Sequence, residues 1–140
     1  MNTSVKRRNP LMLFVALLSM TLLVSCSGNG PESVAEKFLE LTNKGDFKNA
    51  KKYCDESTAA LIGMAEKMAK DKVEDMKEKD VKIEILSSEI SEEGDKAKVT
   101  YKSIEEGQTA EDSPEKQLDL VMVDGDWKVT IDKENLKKEN

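Results

Sequence analysis

The amino-acid sequence predicts an α+β domain in which N-terminal helices pack on one face of a four-stranded antiparallel sheet. Apolar residues between positions 31 and 79 recur with the period of an α-helix. From Val81 onwards they alternate with polar residues, as in strands that bury one face. Asp124-Gly125 separates two such alternating segments and is a strong hairpin signal. Helices followed by an antiparallel meander define this fold class.

A leader precedes the domain. Lys6, Arg7 and Arg8 form a positive segment, and an apolar run follows from Leu11 to Val24. A membrane-spanning helix needs about 20 apolar residues, so this run is short for a permanent anchor. The pattern predicts a signal peptide over residues 1–25.

The end of this run, Leu23-Val24-Ser25-Cys26, resembles the lipobox of bacterial lipoproteins. The resemblance implies transfer of diacylglycerol to the Cys26 sulfur, cleavage before Cys26, and acylation of the new amine with a fatty acid such as palmitate. The membrane is then a partner through two or three chains, because one chain anchors only marginally. An ordinary signal peptide and an uncleaved short anchor are the alternatives.

Residues 26–30 comprise this cysteine and a tether whose four residues reach about 14 Å when extended. Ser27, rather than Asp, follows the cysteine. By resemblance to the sorting patterns of Gram-negative lipoproteins, this predicts the cell envelope, at the outer membrane facing the periplasm.

Three helices are expected in the first half of the domain, which spans residues 31–131. The first begins at Pro31 and ends at Gly45, a residue type suited to a C-terminal cap. Asp46 caps a short second helix, Phe47 to Cys54, and a third helix is predicted from Ser57 to Lys79. The predicted core positions of the third helix are Leu61, Ile62, Met64, Ala65, Met68, Ala69, Val73 and Met76.

Two helical features leave alternatives open. Three lysines on one side of the second helix suit lipid headgroups, an anionic ligand or plain solvent. Methionines on the third helix suit either an ordinary core or an adaptable pocket. These residues are Lys48, Lys51 and Lys52, and Met64, Met68 and Met76.

Four strands follow. Their apolar positions start at Val81, Ala97, Leu118 and Trp127. An acidic loop from Glu105 to Pro114 separates the second and third strands and is either a partner contact or a solvated loop. Asp124 and Asp126 flank Gly125, but the full calcium-loop pattern is absent from the sequence, which favours a plain turn. A polar tail occupies residues 132–140.

Composition narrows the function. The chain has 22 basic and 28 acidic residues, and three of the basic ones lie in the leader, so the mature chain carries a formal net charge of −9. Overall, such a charge repels nucleic acid and anionic lipid, and no nucleic-acid partner is expected. The sequence contains no histidine, which excludes imidazole-activated nucleophiles and imidazole metal sites. Neither a metal nor a cofactor is expected. Cys54, left without an intrachain partner, is a buried apolar residue, a reactive thiol or a site of intermolecular pairing, and the first is favoured.

Two further segments carry a family resemblance. Pro31 to Phe38, with Gly45-Asp46-Phe47 leading to Ala50, resembles the opening of nuclear-transport-factor-2-like (cystatin-like) domains. Asp124 to Val129 resembles their final hairpin. With the lipobox, the chain is similar to a family of small bacterial lipoproteins catalogued as a domain of unknown function. The resemblance implies a curved sheet closed by helices around a conical cavity.

Three functions remain. A noncatalytic module would bind a small apolar ligand in the cavity or an envelope protein on the open sheet face. A cavity enzyme of isomerase or hydrolase type would use a carboxylate and a tyrosine. A structural accessory would serve an envelope complex. No catalytic residue can be assigned by motif, so a binding or accessory role is predicted. The residues expected to line a cavity are Tyr53, Met64, Met68, Tyr101, Leu120 and Trp127.

Overall fold

A computed structural model describes residues 28–132 of the chain. The predictions for the leader, for Cys26 and for residues 133–140 of the tail lie outside these residues. No helix within residues 28–132 has both the length and the apolarity needed to cross a membrane. The helices are α1 (Pro31–Asn43), α2 (Phe47–Ala50), α3 (Glu56–Met68) and α4 (Val73–Glu78), and a 3-10 helix, Lys51–Tyr53, extends α2. The strands are β1 (Val81–Ile90), β2 (Lys96–Glu105), β3 (Glu115–Val123) and β4 (Asp126–Thr130).

Helix α1 begins and ends where its sequence predicts. Pro31 occupies its first position, where a missing N–H has no consequence. Gly45 has a φ of 70°, which a residue without Cβ adopts at little cost. The N–H groups of Gly45 and Asp46 donate to the carbonyl oxygens of Thr42 and Leu41 at 3.1 and 2.8 Å, which completes a Schellman motif. The predicted C-terminal cap is confirmed.

The predicted third helix is instead two helices. Helix α3 ends at Met68, and α4 begins at Val73 after a turn in which the Lys72 N–H donates to the Ala69 carbonyl. Val73 lies against the end of α1, where its Cγ1 is 3.1 Å from the position that a Cβ on Gly45 would occupy. The turn therefore lets α4 fold back onto the α1–α2 connection, since a straight helix would carry Val73 away from it.

The four strands form an antiparallel meander in the order β1-β2-β3-β4, as predicted. Asp124 and Gly125 both have positive φ, 51° and 85°, and form the two-residue turn between β3 and β4. A bulge between Ile85 and Ser87 interrupts the β1–β2 pairing, and such a bulge bends its strand.

The core lies between the helices and one face of this sheet. The predicted inward positions of β2, and Leu118 and Leu120 of β3, are buried and meet the inward face of α1, whereas Met122, also predicted to face inward, is only partly buried. Trp127 is partly buried and packs against the margin of this core. The buried apolar residues are Val34, Ala35, Phe38, Leu39, Phe47, Ala50, Cys54, Ile62, Ile83, Ala97, Val99, Tyr101, Leu118, Leu120 and Val129.

Candidate functional site

The structure does not bring the six predicted pocket residues together. Tyr101 and Leu120 are core residues, with 9% and 1% of their surfaces exposed. Tyr53 and Trp127 are half-buried and pack against the same core. Met64 and Met68 lie on the outer surface of the domain.

Met64 and Met68 were predicted to face the interior, and this is wrong. Their exposed fractions are 62% and 85%. The buried stripe of α3 instead passes through Thr58 and Ile62. Apolar residues occupy much of the circumference of this helix, so periodicity alone did not indicate which side faces the sheet.

The outer face of α3 carries an open depression of about 570 Å³. Small residues, Ala60 and Gly63, form its apolar floor together with Met64, while Lys67 and Lys70 contribute basic side chains. The remaining lining residues are Lys51 and Glu66.

An ion pair fixes one side of this depression. The Nζ of Lys51 lies 2.6 Å from Oε2 of Glu66. The same Nζ is 3.6 Å from the position that a Cβ on Gly63 would occupy, an ordinary contact distance, so the lysine side chain lies against α3 at Gly63. The two partners are 33% and 45% exposed, and a pair this exposed contributes about 1 kcal/mol or less to stability. The main effect of this ion pair is to hold the Lys51 side chain beside the depression.

A second depression, of about 490 Å³, lies where the end of β4 approaches the start of α3. Polar groups at its rim include Ser57, Lys96 and Asp119, and Leu120 contributes apolar surface. It is also open to solvent, so neither depression matches the enclosed conical cavity that the resemblance implies.

Residues before and within α3 attach it to β4, and we call this set of contacts the β4 clasp. The Asp55 N–H donates to the Val129 carbonyl at 2.9 Å, next to a parallel bridge between Cys54 and Val129. The Ile131 N–H donates to Oγ1 of Thr58 at 2.8 Å. Thr58 is fully buried and its bond to Ile131 is partly buried, so the clasp joins the helical layer to the last strand through a bond that is partly shielded from water.

Asp55 caps α3 within this clasp. One of its carboxylate oxygens accepts the Thr58 N–H at 2.7 Å. Burial raises the pKa of this carboxyl, but hydrogen bonds from Thr58 and from the Thr130 side chain outweigh burial and leave the pKa below its ordinary value. Asp55 is therefore a structural carboxylate rather than a proton donor.

Cys54 is buried, as one of the three sequence alternatives predicts. Burial, aided by the neighbouring Asp55 charge, raises the pKa of its thiol to about 11. Because the thiolate is the nucleophile, a thiol with this pKa is unreactive near neutral pH.

The open face of the sheet is charged. Lys98 on β2 lies between Glu89 on β1 and Asp119 on β3 in the strand register. Lys102 lies in the same way between Glu84 and Glu115. Opposite charges in these positions attract each other and keep the face hydrophilic, unlike an apolar docking surface.

The acidic loop between β2 and β3 is held by several hydrogen bonds. Nζ of Lys102 donates to the Ala110 carbonyl at 2.7 Å. The buried Ser113 hydroxyl donates to the Thr109 carbonyl, and the Thr109 hydroxyl donates to Asp112. The loop therefore has a defined hydrogen-bonded shape, while most of its residues remain exposed to solvent.

Within residues 28–132, no aspartate or glutamate is buried, and no group of three histidine, cysteine or acidic residues is placed to hold a metal ion. A buried carboxylate with a raised pKa beside Tyr53 or Tyr101 is the feature that would favour the enzyme hypothesis. Sequence reasoning did not single out Thr58, Gly63 or the Lys51–Glu66 pair, because their roles depend on contacts between elements distant in the chain.

Helices packed on one face of a four-stranded antiparallel meander give the nuclear-transport-factor-2-like fold. The same fold occurs in a solved structure from Campylobacter jejuni, described as that of a provisionally assigned NTF2-like transpeptidase. The match has a TM-score of 0.55 and 20% sequence identity, and it covers 74% of this chain and 99% of that one. No family model matches the sequence, and no curated protein matches it either.

Proposed function

We propose that this chain is a lipid-anchored accessory module of the bacterial cell envelope, attached to the membrane through Cys26. The observation that carries the proposal is Leu23-Val24-Ser25-Cys26 at the end of an apolar run preceded by three basic residues. We also propose that the chain belongs to the family of small lipoproteins that its sequence resembles, and that it is located at the outer membrane, facing the periplasm.

The start of the described chain supports this arrangement. The Ser33 hydroxyl donates to the Gly28 carbonyl at 3.2 Å, so ordered contacts begin two residues after Cys26. Helix α1 follows at Pro31. A linker this short keeps the folded domain within about 14 Å of the lipid.

The packing favours a role carried out by the surface of the domain. Side chains fill the space between the helices and the sheet, where Ala35, Ala50, Val99 and Val129 are fully buried. The predicted pocket residues divide between this core and the exterior. We therefore favour a noncatalytic module that presents its outer surfaces to a membrane or an envelope protein over one that encloses a small apolar ligand.

The anchor is tested by substituting each cysteine separately in the full-length chain. Cys26→Ser should abolish incorporation of radiolabelled palmitate and leave an uncleaved precursor, because it removes the sulfur that accepts the lipid. Cys54→Ser is the matched control and should incorporate label at the normal level. Normal labelling of Cys26→Ser would overturn the lipoprotein assignment.

A further inference from the structure

Helix α3 has an outer face that combines exposed apolar side chains with lysines. Met64 and Met68 are large apolar residues left in solvent, Lys67 lies one turn after Met64, and Lys70 lies in the turn that follows the helix. Exposed apolar side chains beside basic residues on one helix face are typical of helices that lie at a membrane interface.

This face also contains the open depression described above. Glu66 pairs with the Lys51 ammonium beside Gly63, so an ion pair that includes a residue from a second element borders the depression, and Lys67 and Lys70 supply its unpaired charge. The floor consists of short side chains, including Ala60, which leaves space beneath the lysines. A phosphate group on the lysines would place its attached hydrocarbon against Met64.

Charge distribution distinguishes this surface from the rest of the domain. The mature chain has a net charge of −9, yet residues 47–70 contain five lysines and only three acidic residues. Two of those acids, Asp55 and Glu56, lie at the first turn of α3, away from its methionine end. An anionic membrane therefore repels most of the domain and attracts this part.

We propose that the outer face of α3, comprising Gly63, Met64, Lys67 and Met68 with the adjoining Lys51 and Lys70, rests on anionic phospholipid headgroups. The contact deepens the proposed anchored role, because the Cys26 lipid would keep the domain close to such a surface. Binding by this face itself does not require the lipid, so the two proposals can fail separately.

The test uses unlipidated residues 27–140, which contain the complete helix–sheet core described above. Cosedimentation is measured with vesicles of phosphatidylcholine alone and with vesicles of equal parts phosphatidylcholine and phosphatidylglycerol. We expect binding to the second kind only, and weaker binding as salt rises, because salt screens surface charges. The double variant Lys67→Gln/Lys70→Gln should bind about 25-fold more weakly, from about fivefold for each lysine.

The control variant Lys37→Gln/Lys116→Gln removes the same charge from exposed positions that do not line the depression, and should bind normally. Circular dichroism confirms that each variant is folded. Equal binding to both vesicles, binding to neither, or equal loss in the two double variants would overturn the proposal. A concentration-dependent dimer abolished by Met64→Ser/Met68→Ser, without vesicle binding, would overturn it in favour of self-association.

Discussion

Replacing Thr58 with valine tests the β4 clasp directly. Valine has nearly the same shape, so the substitution removes the hydroxyl while leaving little empty space. The Ile131 N–H then loses the acceptor that it meets at 2.8 Å, and its partly buried position limits replacement of that acceptor by water. An unsatisfied buried donor costs about 1–3 kcal/mol, so we expect the free energy of unfolding to fall by that amount.

Urea denaturation measures this loss as a lower midpoint with an unchanged slope. Each kcal/mol should also lower the melting temperature by about 4–8 °C in a domain of this size. Hydrogen exchange adds a local measurement, because the Ile131 amide should lose its protection in Thr58→Val.

Thr58→Ser is the matched control, since it keeps the hydroxyl and loses only a methyl group. It should cost about 1 kcal/mol while the Ile131 amide stays protected. A folded Thr58→Val variant with normal stability and a protected Ile131 amide would refute the role of this bond.

Three further predictions follow from exposure and charge. The carboxyl of Asp55 has a lowered pKa in the folded chain, so its stabilising effect is present above its unfolded pKa of about 3.9 and is lost as pH falls through the lower folded value. The stability gap between wild type and Asp55→Asn, followed by urea denaturation, should therefore narrow below that pH; a constant gap would contradict the assignment. Trp127→Ala should lower the free energy of unfolding by about 2 kcal/mol, less than for a fully buried tryptophan. Met68→Ala should change it by about 0.5 kcal/mol or less, because Met68 is exposed. Equal losses in the two variants would contradict these assigned exposures. Iodoacetamide should label Cys54 slowly in the native domain near pH 8 and rapidly in denaturant, because the buried thiol has a pKa of about 11; equal rates would show that it is accessible.

Local signals predicted the parts of the fold that depend on few residues. Asp124-Gly125 specifies its turn through positive φ at both positions, and Gly45 specifies its cap in the same way. Alternation likewise predicted the inward faces of β2 and β3. Successive side chains of a strand point to opposite faces of the sheet, so the face that carries the apolar residues is the one that packs on the core.

The predictions were wrong where the structure depends on contacts between elements that are distant in the sequence. Nothing between Met68 and Val73 is a glycine or a proline, so the sequence carried no strong signal for the end of α3. The break depends on Val73 reaching Gly45, a contact between residues 28 positions apart. The orientation of Met64 and Met68 depends in the same way on which side of α3 the rest of the domain covers.

The β4 clasp also limits how copies of the domain can associate through their sheets. A meander has two outer strands, and each can recruit a strand from another molecule if its backbone groups are free. Here Cys54 and Asp55 occupy the outer side of β4 at Val129, while the bulge after Ile85 breaks the regular spacing of β1. Chains anchored to a membrane, as proposed, would meet one another at high local concentration. Strand-by-strand growth into fibres is therefore opposed at both edges, even where neighbouring domains are closely spaced.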